Sequence, residues 1–126
     1  MLPAQARLRR RPEFSAVVRS GRRAGRPTMV LHYLSERPAQ PAGDLASPAA
    51  ARAGFVVGKN VGNSVVRHRV TRRLRAVVRA ELGRLPAGAD LVVRARPEAA
   101  GADSAVLRRD LASGLDRLLG ERTRAR

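Results

Sequence analysis

The side chains that most often carry catalysis are few in this sequence and stand apart from one another. Hydrolysis of a phosphodiester by protein groups needs clustered carboxylates that hold metal ions, or a histidine beside a second acid or base. The 10 acidic residues are scattered singly, His32 and His68 fall in different predicted elements, and cysteine is absent. No glycine-rich phosphate loop of the G-x-x-x-x-G-K-[ST] or G-x-G-x-x-G type occurs. We therefore expect no catalytic residue and no metal site in the protein itself.

Groups that bind anions are abundant by contrast. The 26 lysine and arginine residues exceed the 10 acidic ones and give a net charge of +16. Between residues 59 and 79 the chain is strongly basic, and no acidic residue follows until Glu81. Solvated helix surfaces normally mix both signs of charge, whereas an unneutralised positive surface attracts nucleic acid. Because no helix-turn-helix spacing or dimer pattern is present, RNA is mildly favoured over duplex DNA.

A helix must present this basic segment. Five apolar residues recur at helical spacing on one side: Val66, Val70, Leu74, Val77 and Val78. Asn63 or Ser64 is a suitable N-cap for this helix. The opposite arc carries His68, Arg69, Arg72, Arg73, Arg75 and Arg79, with Arg67 at its edge. We predict a core-facing apolar stripe and an outward basic face.

The remaining elements are placed around this helix. Pro12 is suited to the first turn of a short helix that carries Phe14, Val17 and Val18 and ends at Gly21. Arg22, Arg23 and Arg26 follow in a predicted loop.

Residues 28–34 and 53–58 predict two strands, which we expect to pair as an antiparallel hairpin across a mobile Pro/Ala/Gly-rich loop at 36–52. Residues 90–95 predict a third strong strand.

The chain is predicted to end in a helix and a short tail. Asp103 or Ser104 caps a helix that Gly120 ends, and its apolar stripe is Leu107, Leu111, Leu115 and Leu118. Residues 1–11 form a basic N-terminal arm and residues 121–126 a basic tail. We expect one α+β domain over residues 1–126. No segment predicts a membrane span or a secretory signal, so we expect a cytoplasmic protein. We also expect the protein to be monomeric by itself.

The run KNVGNSVVRHRVTRRLR at residues 59–75 resembles the protein subunit of bacterial ribonuclease P. The family pattern is Lys-x-[Val/Ile]-Gly-Asn-[Ala/Ser]-Val-x-Arg-Asn-Arg-[Val/Ile]-Lys-Arg-x-[Leu/Ile]-Arg, and nearly all of it is present. The N-terminal RLRRRPEFSAVVRSGRR and the LVVRARP strand around Arg94 are also similar to the family. The resemblance implies an α-β-β-β-α-β-α sandwich, like the second domain of ribosomal protein S5, with a left-handed βαβ crossover.

The resemblance also implies a function. The protein would join a catalytic RNA, and the holoenzyme would remove the 5′ leader of precursor tRNA with Mg²⁺ held by the RNA and the substrate. The residues implied to bind the RNA subunit are Lys59, Asn60, Asn63, Arg67, His68, Arg69, Arg72, Arg73 and Arg75. Those implied to bind the leader are Arg7, Phe14, Val18, Val30 and His32.

This sequence departs from the family pattern at a few positions. His68 stands where the family usually has asparagine, and Thr71 replaces a common basic residue. Val18 and His32 occupy positions that are often aromatic in relatives. Only Phe14, Tyr33 and Phe55 are aromatic in the whole chain, so any base stacking must come from very few rings or from arginine planes, and a broad aromatic platform is not expected.

A different class of function fits the composition equally well. A structural RNA-binding protein of the ribosomal type would show the same charge, the same lack of catalytic groups and the same basic helix. Only the extended motif separates the two hypotheses. A nucleoid-type DNA binder is disfavoured, since no dimer or minor-groove wedge pattern occurs.

Overall fold

The computed structural model describes residues 11–35 and 51–124. Three helices and four strands follow in the order α-β-β-β-α-β-α that the resemblance implies, and the α+β class is confirmed. The helices are α1 (Arg11–Ser20), α2 (Ser64–Glu81) and α3 (Ser104–Arg124); the strands are β1 (Arg22–Gly25), β2 (Met29–Leu34), β3 (Arg52–Val56) and β4 (Asp90–Ala95). Short 3₁₀ helices at Leu82–Arg84 and Pro97–Gly101 follow α2 and β4.

The four strands form one sheet in the order β1-β2-β4-β3. β2 pairs antiparallel with both β1 and β4, and β3 pairs parallel with β4. The predicted hairpin between residues 28–34 and 53–58 is therefore wrong, because β4 lies between those strands. The predicted loop with Arg22 and Arg23 is also wrong: these residues belong to β1. A short turn, in which the Arg26 N–H donates to the Met29 carbonyl at 2.7 Å, brings β1 back against β2.

β3 and β4 are parallel neighbours, so the chain must cross over the sheet between them. Helix α2 makes that crossing, which gives the βαβ unit that the resemblance implies. The left-handedness of this crossover stays a prediction. The crossover places the basic helix on one face of the sheet, beside α3.

Helices cover the sheet on both faces. On one face α2 and α3 pack on the main core, where Met29, Leu31 and Tyr33 of β2 are at most 1% exposed. Both predicted helical stripes lie in this core, with Val66 partly buried at its margin. On the other face α1 covers a smaller cluster of Val17 and Val92.

Several predicted boundaries differ from the structure. Arg11, predicted in the arm, begins α1, and Arg52, predicted as the last residue of the loop, begins β3. Gly120 does not end α3, because its backbone stays out of the positive-φ region and the helix runs on to Arg124. The first four residues of the predicted tail are thus helical. The rest of the arm and of the loop, residues 1–10 and 36–50, lies outside the described residues.

Candidate nucleic-acid interface

Helix α2 begins at the cap that its sequence predicts. Asn63 Oδ1 accepts the N–H of Val66 at 3.0 Å, which satisfies one of the unpaired donors of the first turn. Gly62 precedes the cap with φ +156°, and a Cβ there would lie 2.8 Å from Val66 Cγ1. Only glycine allows this entry into the helix. The tight entry fixes which side of α2 faces the core and which side carries the cations.

The outer side of α2 and the loop before it form what we call the α2 basic surface. It consists of the predicted RNA-subunit residues Lys59, Asn60, Asn63, Arg67, His68, Arg69, Arg72, Arg73 and Arg75. Two open depressions of about 500 and 290 Å³ lie along it and share His68 and Arg72 as lining residues. The structure therefore brings four of the nine predicted residues together around these depressions: His68, Arg69, Arg72 and Arg75.

The arginines of this surface do not all point outward. Arg69 donates through Nη2 to the Ala100 carbonyl at 3.3 Å, and Arg73 through Nη1 to the Ala102 carbonyl at 2.8 Å. Both are half-buried against the segment around the 3₁₀ helix Pro97–Gly101. His68 and Arg72 are exposed and free of such bonds within the described chain. The surface thus has anchored arginines on one flank and solvent-facing side chains along its crest.

Four of the described acidic side chains are engaged away from this surface. Asp90 binds Arg52 through two hydrogen bonds of 2.9 Å. Asp110 accepts from the hydroxyl and the N–H of Thr28 at 2.6 and 3.1 Å. Glu81 and Asp116 both bind Arg84, at 3.3 and 2.6 Å. No described acid forms an ion pair with the arginines between residues 67 and 75, so their field acts on solvent and on any polyanion.

The predicted leader-binding residues lie on the opposite face of the sheet. Val30 and His32 are two residues apart on β2 and therefore share this face, over which α1 packs. Phe14 is partly buried against the Val17 cluster, whereas Val18 is 41% exposed. Val30 and His32 thus share one face of the sheet, and Phe14 and Val18 belong to the helix that covers it. Arg7 lies outside the described residues.

His32 has an unusual setting on this face. The side chain is only 6% exposed, and its Nε2 has no hydrogen-bond partner among the described groups. Burial, together with the positive charges of Arg94 and Arg23, lowers the pKa of His32 below its ordinary value. The imidazole is therefore neutral at pH 7.

Two arginines beside His32 were not predicted as site residues from the sequence. Arg23 of β1 stands directly opposite His32, and Arg94 of β4 stands opposite Val30. Both side chains are exposed. Arg94 carried a signal, since it is a charged residue in the otherwise apolar LVVRA and shares its face with Val92. Arg23 carried none, because its strand is too short to show alternation.

Other kinds of site find no support in the part of the chain that the structure describes. There, no three histidine, cysteine or acidic residues lie close enough to hold a metal ion. No helix within residues 11–35 or 51–124 is long and apolar enough to cross a membrane.

Comparison with known proteins gives a consistent family match. The family model for ribonuclease P matches residues 2–119. The ribonuclease P protein component of Streptomyces bikiniensis is 54% identical over 126 residues, which cover 98% of this chain and 100% of the relative. That of Corynebacterium diphtheriae is 49% identical and covers 94% of this chain and 97% of its own.

Solved structures share the fold at lower identity. The ribonuclease P protein of Staphylococcus aureus superposes with a TM-score of 0.72 at 19% identity, over 88% of this chain and 93% of its own. That of Thermotoga maritima gives a TM-score of 0.70 at 24% identity, over 88% of this chain and 96% of its own. These likenesses concern the arrangement of helices and strands.

Proposed function

The chain belongs to the ribonuclease P protein family, and we propose that it binds the catalytic RNA of that tRNA-processing endonuclease through the α2 basic surface. The observation that carries this proposal is the run of arginines from residue 67 to residue 75 that no described acid neutralises. Phosphates of a folded RNA would replace the missing counter-charges. Arg72, His68 and Arg75 line the depressions where such phosphates would sit.

We extend the proposal to the substrate. The 5′ leader of precursor tRNA would lie on the opposite face, between α1 and the sheet. The supporting observation is that the two elements bounding this face offer both kinds of group: α1 exposes the apolar Val18 and β4 exposes the cationic Arg94. A single strand needs such a combination of backbone neutralisation and apolar contact.

The protein would assist the reaction without performing it. We assign hydrolysis to the RNA, and the binding of Mg²⁺ to the RNA and the substrate. By covering RNA phosphates, the protein would lower the concentration of Mg²⁺ that the RNA needs to fold and to hold its substrate. By holding the leader, it would favour precursor tRNA over mature tRNA.

Cleavage of a precursor tRNA at low Mg²⁺ tests this function. The cognate RNA would be assayed alone, with this protein, and with the variant R72E, which reverses one charge on the α2 basic surface. We expect the protein to restore accurate leader removal that the RNA alone does not perform, and R72E to restore less of it. Tight RNA binding without any gain in cleavage would instead favour the structural RNA-binding hypothesis.

A further inference from the structure

Three nitrogen-bearing side chains from three adjacent strands meet on the sheet face beneath α1. Arg23 of β1 and His32 of β2 are directly opposed, and Arg94 of β4 stands two pairs further along, opposite Val30. Opposed residues in antiparallel strands have Cβ atoms about 5 Å apart, and diagonal ones about 7 to 8 Å. All three groups can therefore approach one small ligand on this face.

The charges around His32 are almost all positive. β1 contributes Arg23 and β4 contributes Arg94, both exposed. β4 also places Asp90 on this face, but Arg52 of β3 binds that carboxylate at 2.9 Å. From α1 the described charged side chain is Arg19, which is exposed. Neither Arg23 nor Arg94 has an ion pair within the described residues, so the pair is available to an anion.

His32 is the group that such an anion would affect most. Its side chain is more than nine-tenths buried, and Nε2 is left without a partner among the described groups. An unpaired nitrogen in a buried site costs free energy that a new charge interaction can offset. Burial and the two arginines keep the pKa of this imidazole below its ordinary value when no anion is bound.

We propose that a leader phosphate binds between Arg23 and Arg94 and that His32 takes up one proton from solvent as it binds. This rests on the proposed function, because it assigns the anion to the leader. The phosphate offsets the two positive charges that oppose protonation, and the imidazolium then adds a third positive charge beside the phosphate. No covalent bond changes; only one proton moves from water to His32.

Proton uptake makes leader binding dependent on pH. Binding that raises the pKa of a group is strengthened as the pH falls through the interval between the free and the bound pKa. The free pKa lies below the ordinary value, so this interval begins below the ordinary pKa of histidine and extends up to the bound pKa. We expect the preference for precursor over mature tRNA to grow by roughly three- to tenfold between pH 8 and pH 6, within the limit of tenfold per pH unit for one proton.

The experiment measures the Kd of the holoenzyme for precursor and for mature tRNA from pH 6 to pH 8, at constant salt and Mg²⁺. The ratio of the two constants removes titrations of the shared tRNA body and of the RNA subunit. His32→Gln should leave the ratio above one and make it independent of pH. His68→Gln removes the chain's other histidine, which lies on the α2 basic surface, and is measured with enough protein to saturate the RNA subunit. The pH dependence of the ratio should then remain.

The outcomes separate this inference from the function on which it rests. A ratio of one at every pH would contradict leader binding altogether. A ratio above one that stays flat with pH, or that keeps its slope in His32→Gln, overturns the proton uptake and leaves leader binding intact. Should His32→Gln fold poorly, an NMR titration of the His32 imidazole in the wild-type protein decides, because its pKa must rise when a leader oligonucleotide is added.

Discussion

Arg72 and Arg73 are neighbours in sequence but have different surroundings. Arg72 is exposed and lines both depressions of the α2 basic surface. Arg73 is half-buried and donates to the Ala102 carbonyl at 2.8 Å. We propose that the first side chain contacts RNA, whereas the second holds the segment before α3 against α2.

This difference predicts that the two alanine variants affect different properties: RNA binding in one and folding stability in the other. Arg72→Ala should weaken binding of the RNA subunit and lower the slope of log K against log salt by about 0.7 to 0.9, as expected for one lost phosphate contact. Its thermal stability should stay unchanged. Arg73→Ala should lower the free energy of unfolding by about 1 kcal/mol, since a buried carbonyl loses its donor.

Salt-dependent binding and denaturant unfolding of both variants check this pair of expectations. Each protein serves as the control for the other, because both lose one arginine from the same helix. An unchanged salt slope in Arg72→Ala would contradict its place at the RNA. Equal loss of stability in both would show that the hydrogen bond of Arg73 contributes nothing.

At the scale of single residues, the sequence predicts charge better than it predicts contact. The basic arc of α2 followed from spacing alone. The anchoring of Arg69 and Arg73 did not, because their acceptor carbonyls lie 31 and 29 residues further along the chain. The hydrogen-bond partner of a long side chain is determined only when distant segments pack against its helix.

At the scale of elements, the cap of α2 lets stability and RNA binding be changed separately. Asn63→Ala removes the acceptor for the Val66 N–H and should cost about 1 kcal/mol of stability. Asn63→Asp keeps a cap of equal quality and adds a negative charge that favours the positive end of the helix. It should fold at least as stably as the wild type yet bind the RNA subunit more weakly.

Unfolding and RNA binding of the two Asn63 variants test this separation. Wild-type affinity in Asn63→Asp would mean that the start of α2 lies away from the RNA. Unchanged stability in Asn63→Ala would mean that water replaces the side chain as acceptor.

A second prediction at this scale concerns the contact between α3 and β2. Gly114 lies in the interior of α3, and a Cβ there would be 2.5 Å from Leu31 Cδ1. Leu31 is fully buried, so its side chain cannot move aside without displacing its packed neighbours. Gly114→Ala should therefore destabilise the protein by about 1 to 3 kcal/mol through overpacking.

Gly120→Ala is the control for that change. Gly120 lies on the same helix, and a Cβ added there would have no contacting atom within 4 Å. Helix propensity then acts alone, so this variant should gain up to about 1 kcal/mol. Denaturant titration would contradict the packing argument if both variants moved in the same direction.

The comparison of expected and observed elements shows where local patterns stop being informative. Helical stripes and N-terminal caps are local, and those of α2 and α3 were confirmed. The partner of a strand is not local: residues 53–58 were expected to pair with residues 28–34, but β4 takes the place between them. Arg22 and Arg23 showed no strand pattern because β1 is only four residues long and forms through pairing with β2.

At the scale of the whole molecule, the sheet separates two basic surfaces. The α2 basic surface lies on the face covered by α2 and α3, and Arg23, His32 and Arg94 lie on the face covered by α1. The chain, whose net charge is +16, thus carries positive side chains on both sides of the sheet. A protein built in this way can contact an RNA on one side while it holds a single strand on the other.

This separation predicts that the two binding events respond to different arginines. Arg72→Gln should reduce the salt slope for the RNA subunit and leave the ratio of precursor to mature tRNA affinity unchanged once the holoenzyme is saturated with protein. Arg94→Gln should lower that ratio and leave the RNA-subunit slope unchanged. Each substitution removes one positive charge, so the net charge of the two variants is equal, and a general loss of electrostatic attraction would affect both measurements in both proteins. If each substitution changed both the salt slope and the affinity ratio, a single diffuse field, and not two surfaces, would bind the RNA and the leader.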